Sequence, residues 1–420
     1  MPFRSSVLPV YDTAVETLKP RSAEDVESAV REALARSQPL EIAAHGSKRA
    51  IGHASATNAR LDCSALDAVV SYEPQELVLT VQPGAPLQQV QAQLAQARQE
   101  FAFEPMDPSA LLGVAGGTGT VGGMIASGLA GPRRVKAGGV RDHLLGLHGV
   151  SGFGDRFKAG GKVVKNVTGY DLCKLIAGSF GTLAVMTEVT LKVMPKAETE
   201  TTLMIVGLDA AAAGRAMTAA LGSPYDVSAA AHLPSSSLRA APDGLPQAEA
   251  ATLIRLEGIE ASVAHRAGSL TALLAPFGRP ERLAEDVSAQ AWRTIRDVAP
   301  FAAHGPLGQW PVWRIVCPPA SGPALGQALA RETGGEVLCD WAGGLVWLAV
   351  PPSPDGFARA VRLQAEACGG HAMLLRAGVA LRAAIDVFHP LPAGLAALNA
   401  RIKAAFDPQD IFNRGRMVRA

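Results

Sequence analysis

The chain has 420 residues, enough for two or three domains, and its 48% hydrophobic and 18% charged content is typical of a globular protein. With 39 basic and 38 acidic side chains, its net charge of +1 lacks the basic excess of nucleic-acid-binding proteins. No apolar run approaches the roughly 18 residues of a transmembrane helix, and MPFRSSVLPVYD at the start lacks the pattern of a signal peptide. We therefore expect a cytoplasmic protein, which could still dock at the inner membrane through partner subunits.

The cysteines and histidines are dispersed and do not form metal-binding patterns. No two cysteines form the C-x-x-C pair that is typical of zinc and iron–sulfur sites. The sequence therefore predicts buried, reduced thiols and no metal site. The five cysteines are Cys63, Cys173, Cys317, Cys339 and Cys368.

Along the first 110 residues, helix and strand patterns alternate. Ser22, followed three residues later by Asp25 as an imperfect capping box, predicts the start of a helix that reaches about Arg36. LEIAA, residues 40–44, predicts a strand that leads into the loop HGSK. A strand around residues 77–81, ended by Pro-Gly, and a helix over residues 87–98 follow.

A glycine-rich zone comes next, with sixteen of the 43 glycines between Gly113 and Gly161. Its centre is TVGGMIASGLAGPRR, residues 120–134, where so many glycines argue against a helix because each costs about 0.5–1 kcal/mol relative to Ala. One interpretation is an NAD fingerprint, because residues 117–122 spell G-x-G-x-x-G, although no strong strand precedes them. A second is tight packing without a ligand. A third is that several loops converge on one large anionic cofactor, because bare backbone can approach phosphates closely.

The pattern of predicted helices and strands changes after Pro195. The segment VMTEVTLKVM before it predicts a strong strand. After it, the order strand–helix–strand–strand–helix occurs twice, near residues 202–275 and 312–367, which predicts a duplicated unit with an antiparallel sheet. FDPQDIFNRGRM then predicts a helix end followed by an ordered tail.

Six segments in this order carry a resemblance: HGSK, Pro-Gly, TVGGMIASGLAGPRR, VKNVTGYDL, GSFGTLAVMTEVTLKV and FDPQDIFNRGRM. Together they resemble FAD-linked oxidases of the vanillyl-alcohol-oxidase type, with a PCMH-type FAD-binding domain. More narrowly, they resemble the FAD-binding E subunits of bacterial glycolate oxidase. The resemblance implies an α+β fold: an FAD-binding domain of two α+β subdomains over residues 1–197, an α+β cap domain over 198–376, and a segment over 377–420 that returns to the FAD-binding domain.

The same resemblance implies a set of FAD-binding residues. The HGSK loop would hold the pyrophosphate, the glycine-rich segment would line the ribityl chain and ring, and a third loop would lie along the flavin or adenosine. The predicted residues are His45, Gly46, Ser47, Lys48, Gly84, Thr120, Gly122, Gly123, Ser127, Gly128, Gly181, Thr182 and Val185. Two departures are Ala43-Ala44 where relatives have further glycines, and Arg414 where a proline is usual. We predict non-covalent FAD, with a covalent bond through His45 as the alternative.

Oxidation of a 2-hydroxy acid needs a base for the hydroxyl proton and a cation for the carboxylate. Arg133 and Arg134 are candidate cations, and His371 and His389 are candidate bases; the alternative for each, preferred for the histidines, is a structural or solvated side chain. Lys165 and Tyr170 are candidates for cofactor contact. No clustered acid–base constellation is visible in the sequence.

The resemblance finally implies partners. A glycolate oxidase contains this subunit, a second flavoprotein subunit and an iron–sulfur subunit, and oxidises glycolate to glyoxylate. We therefore expect an FAD-binding subunit whose electrons leave through the iron–sulfur subunit. The alternatives are a self-sufficient FAD-dependent dehydrogenase of another 2-hydroxy acid and a flavin-free scaffold that kept the fold.

Overall fold

A computed structural model describes residues 16–54, 57, 59–162, 169–239 and 249–419. Within them, helices and mainly antiparallel sheets are mixed, which confirms the predicted α+β class. No helix among these residues is long and apolar enough to cross a membrane.

The N-terminal region, residues 16–195, contains a small parallel sheet and a larger antiparallel sheet. The parallel sheet has the order β1-β3-β2, and the five-stranded antiparallel sheet has the order β4-β5-β9-β7-β8. The bounds of the elements are β1 Glu16–Leu18, α1 Ala23–Ala35, β2 Leu40–Ala43, β3 Ala59–Asp62, β4 Val69–Glu73, β5 Val78–Val81, α2 Leu87–Gln96, β6 Gln99–Glu100, α3 Ser109–Leu112, α4 Val121–Ser127, α5 Arg134–Ala137, α6 Val140–His143, β7 Leu144–Ser151, β8 Arg156–Gly160, α7 Leu172–Ile176, β9 Ala184–Lys192 and β10 Met194–Pro195.

Helix α1 and strand β9 show how local sequence sets these elements. The Asp25 backbone N–H donates to Ser22 Oγ at 3.1 Å and the Ser22 N–H donates to Asp25 Oδ2 at 3.1 Å, so the capping box is complete. Strand β9 lies between β5 and β7. Its β-branched residues Val185 and Val189 are fully buried, as expected of a central strand.

Helix α4 contradicts the expectation that TVGGMIASG would avoid helical structure. Thr120 Oγ1 accepts a hydrogen bond from the Gly123 N–H at 3.2 Å, and Gly128 ends the helix with φ +64°. A Cβ on Gly122 would lie 2.7 Å from Pro83 Cβ. Close packing against Pro83 therefore requires glycine inside the helix, and tertiary contacts offset its poor helix propensity.

The cap region, residues 199–376, is built on one eight-stranded sheet. Its order is β14-β11-β13-β12-β16-β17-β15-β18. The bounds are β11 Thr199–Val206, α8 Ala210–Leu221, β12 Val227–Pro234, α9 Ser235–Arg239, β13 Ala250–Gly258, α10 Glu260–Leu274, β14 Glu281–Arg282, α11 Glu285–Arg296, β15 Val312–Val316, α12 Gly322–Thr333, β16 Glu336–Asp340, β17 Leu345–Ala349, α13 Ala358–Ala367 and β18 His371–Arg376.

The two predicted strand–helix–strand–strand–helix units occupy the two halves of this sheet. The first contributes the order β11-β13-β12, and the second contributes β16-β17-β15. They meet where His232 of β12 pairs with Cys339 of β16. Each unit thus places its third strand between the other two, which is the arrangement that a duplication would give.

One face of the cap sheet packs on the N-terminal region. Trp347 and Met373 of the cap share a hydrophobic core with Met124 and Ile125 of α4. Trp341, which follows β16, donates from Nε1 to the Gly131 carbonyl at 2.9 Å. The glycine-rich segment is therefore fixed against the cap as well as against its own sheet.

Beyond β18 the chain returns to the N-terminal region through α14 (Val379–Ala384) and α15 (Ala393–Phe406). Asp407, 1% exposed, accepts hydrogen bonds from the Ile411 and Phe412 N–H groups at 3.0 and 2.8 Å. The Leu40 N–H donates to the Ile411 carbonyl at 2.7 Å, so residues 411–413 run beside β2. The predicted ordered tail is confirmed.

Candidate cofactor site

Four separate segments of the chain, together with the single residues Cys63 and Pro83, line one cleft, the cofactor cleft, whose volume is about 760 Å³ including the open space at its mouth. The four segments are residues 42–49 at the end of β2 and in the loop after it, residues 118–127 around α4, residues 180–186 at the start of β9, and the tail residues Asn413 and Arg416. Their separation in sequence shows that the fold, and not a local motif, builds the site.

The loop after β2 brings cations to the cleft. Gly46 adopts φ +74°, a left-handed conformation that favours glycine. Lys48, 9% exposed, lies with Nζ 3.7 Å from the position a Cβ would take on Gly123. Burial lowers the pKa of Lys48, and the nearby Asp107 raises it. Among the described residues, no hydrogen bond or ion pair of this ammonium group is found.

His45 lies in the same loop and is exposed. Its Nδ1 is 3.3 Å from the Thr118 carbonyl, so Nδ1 carries the proton and donates. This hydrogen bond joins the first and second segments across the cleft. It is the arrangement of a plain loop histidine and leaves Nδ1 engaged with protein.

The tail supplies an arginine that sequence reasoning missed. Arg416 donates from an Nη atom to the Lys48 carbonyl at 2.7 Å, and its guanidinium carbon lies 5.7 Å from the Phe180 ring centroid. Burial lowers the pKa of Arg416 to about 10. Its Nε is buried without a partner among the described residues. A buried donor in this state costs roughly 1–3 kcal/mol unless a ligand accepts from it.

Asn413 ties two walls of the cleft together. Its Oδ1 accepts from the Ile42 N–H at 2.9 Å, and its Nδ2 donates to the Phe180 carbonyl at 2.8 Å. Gly181, with φ +69°, lies so close that a Cβ would be 2.7 Å from Asn413 Nδ2. The third loop and the tail therefore fit together only if position 181 lacks a side chain.

Ten of the thirteen residues predicted to bind FAD line this cleft. The other three are close in sequence but face elsewhere: a Cβ on Gly84 would collide with the Cys63 carbonyl, Gly128 packs near Gly178, and Thr182 Oγ1 donates to the Ser179 carbonyl. The ten lining residues are His45, Gly46, Ser47, Lys48, Thr120, Gly122, Gly123, Ser127, Gly181 and Val185.

Arg133, a candidate for the substrate carboxylate, lies instead in a buried ion network between the N-terminal region and the cap. Its guanidinium donates to Glu257 at 2.9 Å and to Glu100 at 2.5 Å, and its backbone N–H donates to Glu104 at 2.8 Å. Arg255 makes a two-bond contact to the same Glu104 at 3.0 and 2.9 Å. The donors of Arg133 are therefore used by protein carboxylates.

Arg134 and His371 come together on the other side of the cap contact. The guanidinium of Arg134 lies 4.2 Å from the Trp341 ring centroid. Burial lowers the pKa of His371, and the charges of Arg314, His389 and Arg134 act in the same direction. His389 lies near His371, with ring centroids 6.4 Å apart. None of these side chains lines the cofactor cleft.

Two further candidates contribute nothing to the described site. Tyr170 is 93% exposed, and Lys165 lies outside the described residues. No group of three or more His, Cys, Asp or Glu side chains that could hold a metal is found in the described part of the chain.

The missed lining residues gave weak signals in the sequence. Arg416 and Asn413 belong to the quoted segment FNRGRM, which predicts only an ordered tail. Phe180 and Met186 resemble ordinary core residues. A weak signal was the density of polar residues around Gly415, in the segment that follows α15.

The residues of the cleft fit a dinucleotide such as FAD. Its lining includes Lys48, Arg49, Arg416 and His45 but no Asp or Glu among the described residues, so it favours a diphosphate. The unpartnered Arg416 Nε and the buried Lys48 ammonium are donors that lack acceptors in the described protein. An apolar stretch suited to a planar ring is formed by Ile42, Ala126, Phe180, Val185 and Met186.

Comparison with known proteins agrees with this geometry. Residues 16–160 match the family model of the FAD binding domain, and residues 391–417 match that of the C-terminal domain of FAD linked oxidases. The chain is 33% identical to glycolate oxidase subunit GlcE of Escherichia coli over 394 residues, covering 92% of this chain and 95% of that protein. It is 37% identical to glycolate oxidase subunit GlcD of Bacillus subtilis over 150 residues, 35% of this chain and 30% of that protein. It is 33% identical to a D-2-hydroxyglutarate dehydrogenase of Xanthomonas citri over 176 residues, 41% and 35% of the two chains.

Solved structures share the fold at low sequence identity. A p-cresol methylhydroxylase with substrate bound superimposes with a TM-score of 0.70 at 15% identity, over 98% of this chain and 91% of that one. A 4-ethylphenol oxidase from Gulosibacter chungangensis gives 0.69 at 15% identity, over 98% and 91%. The predicted cofactor, FAD, is confirmed by the family match. The chain is an FAD-dependent oxidoreductase and belongs, with GlcE of glycolate oxidase, to one family of FAD-linked oxidases.

Proposed function

We propose that this chain is the FAD-binding subunit of a complex that oxidises glycolate to glyoxylate, and that its electrons pass to an iron–sulfur partner subunit. The observation that supports it most is the convergence of four distant segments on one cationic cleft without acidic lining among the described residues. Three relatives are named as subunits of glycolate oxidase or as a D-2-hydroxyglutarate dehydrogenase, and each of these names contains a 2-hydroxy acid. A peripheral position at the membrane through partner subunits is part of the proposal.

Different residues of the cleft bind different parts of the cofactor. Ser47, Lys48 and Arg416 supply donors for the diphosphate, and Gly123 keeps space open beside them. Ile42, Phe180 and Val185 exclude water from an apolar slot. FAD, when bound, supplies the two-electron oxidation by accepting a hydride.

Purification of the chain alone tests the proposal against its alternatives. A yellow protein that glycolate does not bleach, but that is bleached once the partner subunits are added, supports the subunit role. Bleaching by glycolate without partners supports a self-sufficient dehydrogenase. A colourless protein that FAD cannot reconstitute supports the flavin-free scaffold and overturns the proposal.

The nature of the flavin bond is tested on the same preparation. Acid precipitation releases non-covalent FAD into the supernatant, which is the expected result. Yellow colour that stays in the pellet would contradict it.

A further inference from the structure

Arg314 is a half-buried arginine whose charge has no carboxylate partner among the described residues. It lies on β15, paired with Met373 of β18, and its guanidinium carbon is 5.1 Å from the Trp341 ring centroid. Other arginines that are buried at this junction are satisfied: Arg255 by Glu104, and Arg376 by four backbone carbonyls. Within the described part of the chain, Arg314 is held by stacking alone.

Trp341 positions two guanidinium groups at once. Arg134 lies 4.2 Å from the same ring centroid, and Trp341 itself is 2% exposed and fixed by its hydrogen bond to Gly131. Stacking on an aromatic ring leaves the edges of a guanidinium free to donate in its plane. Two sets of donors are thus presented beside one rigid ring.

His371 completes the cluster on the same face of the sheet. Val316 pairs with His371 and Arg314 with Met373, so Arg314 and His371 are diagonal neighbours on adjacent strands. Met373 packs in the core shared with α4, which shows that this face turns toward the N-terminal region. The cluster therefore lies on the cap face that covers the FAD-binding half of the molecule.

The surrounding charges leave this cluster positive. Arg141 also lies near Arg134. Of the nearby acids, Asp142 offsets part of the charge of Arg134 and accepts from the Gly139 N–H at 2.9 Å, and Glu366 lies 3.3 Å from His389. Burial lowers the pKa of Arg314 to about 10, and the charge of Arg134 acts in the same direction. A bound anion would relieve this repulsion.

We propose that Arg314 and Arg134, stacked on Trp341 and flanked by His371, form a site for the carboxylate of a small 2-hydroxy acid. The identity of the acid rests on the proposed function, whereas the anion site rests on the contacts above. The arginine pair anchors one end of the acid by charge-assisted hydrogen bonds and so orients the hydroxyl-bearing carbon next to it. The site is a binding site, and no bond is made or broken at it.

Tryptophan fluorescence of the purified full chain tests the site without any flavin turnover. Glycolate and the non-oxidisable oxalate are titrated at constant ionic strength, with chloride as the blank. We expect a saturable change because Trp341 lies beside both arginines. Arg314→Gln is expected to weaken oxalate binding about tenfold or more, as loss of a charged hydrogen-bond donor does, and Arg314→Lys less.

Arg362 provides the matched control. It also stacks on a cap tryptophan, Trp313, at 5.4 Å, but lies outside the cluster. Arg362→Gln should bind oxalate as the parent does, with thermal unfolding showing that both variants are folded. Unchanged oxalate affinity in Arg314→Gln, or the absence of a saturable response in the parent chain, overturns the site. If the chain binds oxalate but supports no glycolate oxidation together with its partner subunits, the anion site stands and only the proposed function is overturned.

Discussion

At the scale of single residues, Lys48 is the side chain in the cofactor cleft whose chemistry is most clearly shaped by its surroundings. Its side chain is buried, its ammonium group has no ion pair among the described residues, and burial lowers its pKa. Such a group is poorly stabilised by the protein alone. A ligand phosphate is the partner that would make its burial favourable.

Replacing Lys48 by Met should weaken FAD binding by about 2 kcal/mol, roughly 30-fold, because one charged hydrogen-bond donor is lost. The FAD affinity is measured from the quenching of flavin fluorescence as FAD is titrated with apoprotein. Because only the protonated amine attracts phosphate, affinity in the parent should fall as pH rises through the lowered pKa of Lys48. Lys174→Met, an exposed lysine paired with Asp171, is the control that should bind FAD normally. Equal affinity in both variants would contradict this role.

Asn413 acts at the same scale by joining residues 42 and 180. Asn413→Ala removes two hydrogen bonds to buried backbone groups and should destabilise the protein by about 2–3 kcal/mol. Urea unfolding measures the change. FAD affinity should fall as well, since both walls of the cleft lose their connection. Normal stability with normal FAD binding would show that the walls are held independently.

At the scale of elements, α4 shows two adjacent glycines with different roles. Gly122 faces Pro83, whereas Gly123 faces the cofactor cleft with Lys48 and Thr120 nearby. One glycine permits packing of the helix, and the other keeps space open for the ligand.

Two alanine variants separate these roles. Gly122→Ala should lower stability by about 1–3 kcal/mol, because its Cβ would lie 2.7 Å from Pro83 Cβ. Gly123→Ala, whose Cβ would lie 3.3 Å from Thr120 Oγ1, should keep the stability of the apoprotein and lose FAD affinity. Thermal unfolding and FAD titration of both variants check the pair. The reverse pattern would show that the two faces have been assigned wrongly.

At the scale of the whole molecule, the two regions are joined by the ion network of Glu104, Arg133, Arg255 and Glu257. Burial alone would raise the pKa of Glu104, but Arg255 and Arg133 lower it from 4.5 to about 2. The carboxylate is thus kept ionised in the folded state. The network contributes to the alignment of the cap over α4.

Glu104→Gln should cost about 3 kcal/mol or more, because two buried arginines lose a charged partner. The folded-state pKa is depressed, so the contribution of Glu104 is complete above pH 4.5 and is lost as pH falls toward 2. Urea unfolding across this range should show a steeper decline for the parent than for the variant. Glu24→Gln, in an exposed pair with Arg156, should be indistinguishable from the parent. Parallel pH profiles for the parent and Glu104→Gln would contradict the assignment.

The amino-acid sequence was sufficient to predict an element where its local signals agree with the contacts in the folded protein. The box of Ser22 and Asp25 marks α1, and repeated strand and helix patterns give the order of the cap. It was insufficient for α4, where packing on Pro83 overrides glycine propensity, and for Arg416 and Arg314, whose roles depend on neighbours far away in the chain. Arg133 and Arg134 show most clearly what sequence-based prediction cannot resolve. They are adjacent and chemically alike, yet Arg133 pairs with the carboxylate of Glu257 and Arg134 stacks on the Trp341 ring.

The contact of residues 411–416 with β2 and the Lys48 loop has a consequence for biosynthesis. Residues 42–48 leave the ribosome long before Asn413 and Arg416, yet both tail side chains are walls of the same cleft. We therefore expect tight cofactor binding only after the tail has been translated and has docked. Removal of the tail by a translation error or by proteolysis should leave a cleft that lacks one wall and binds FAD weakly.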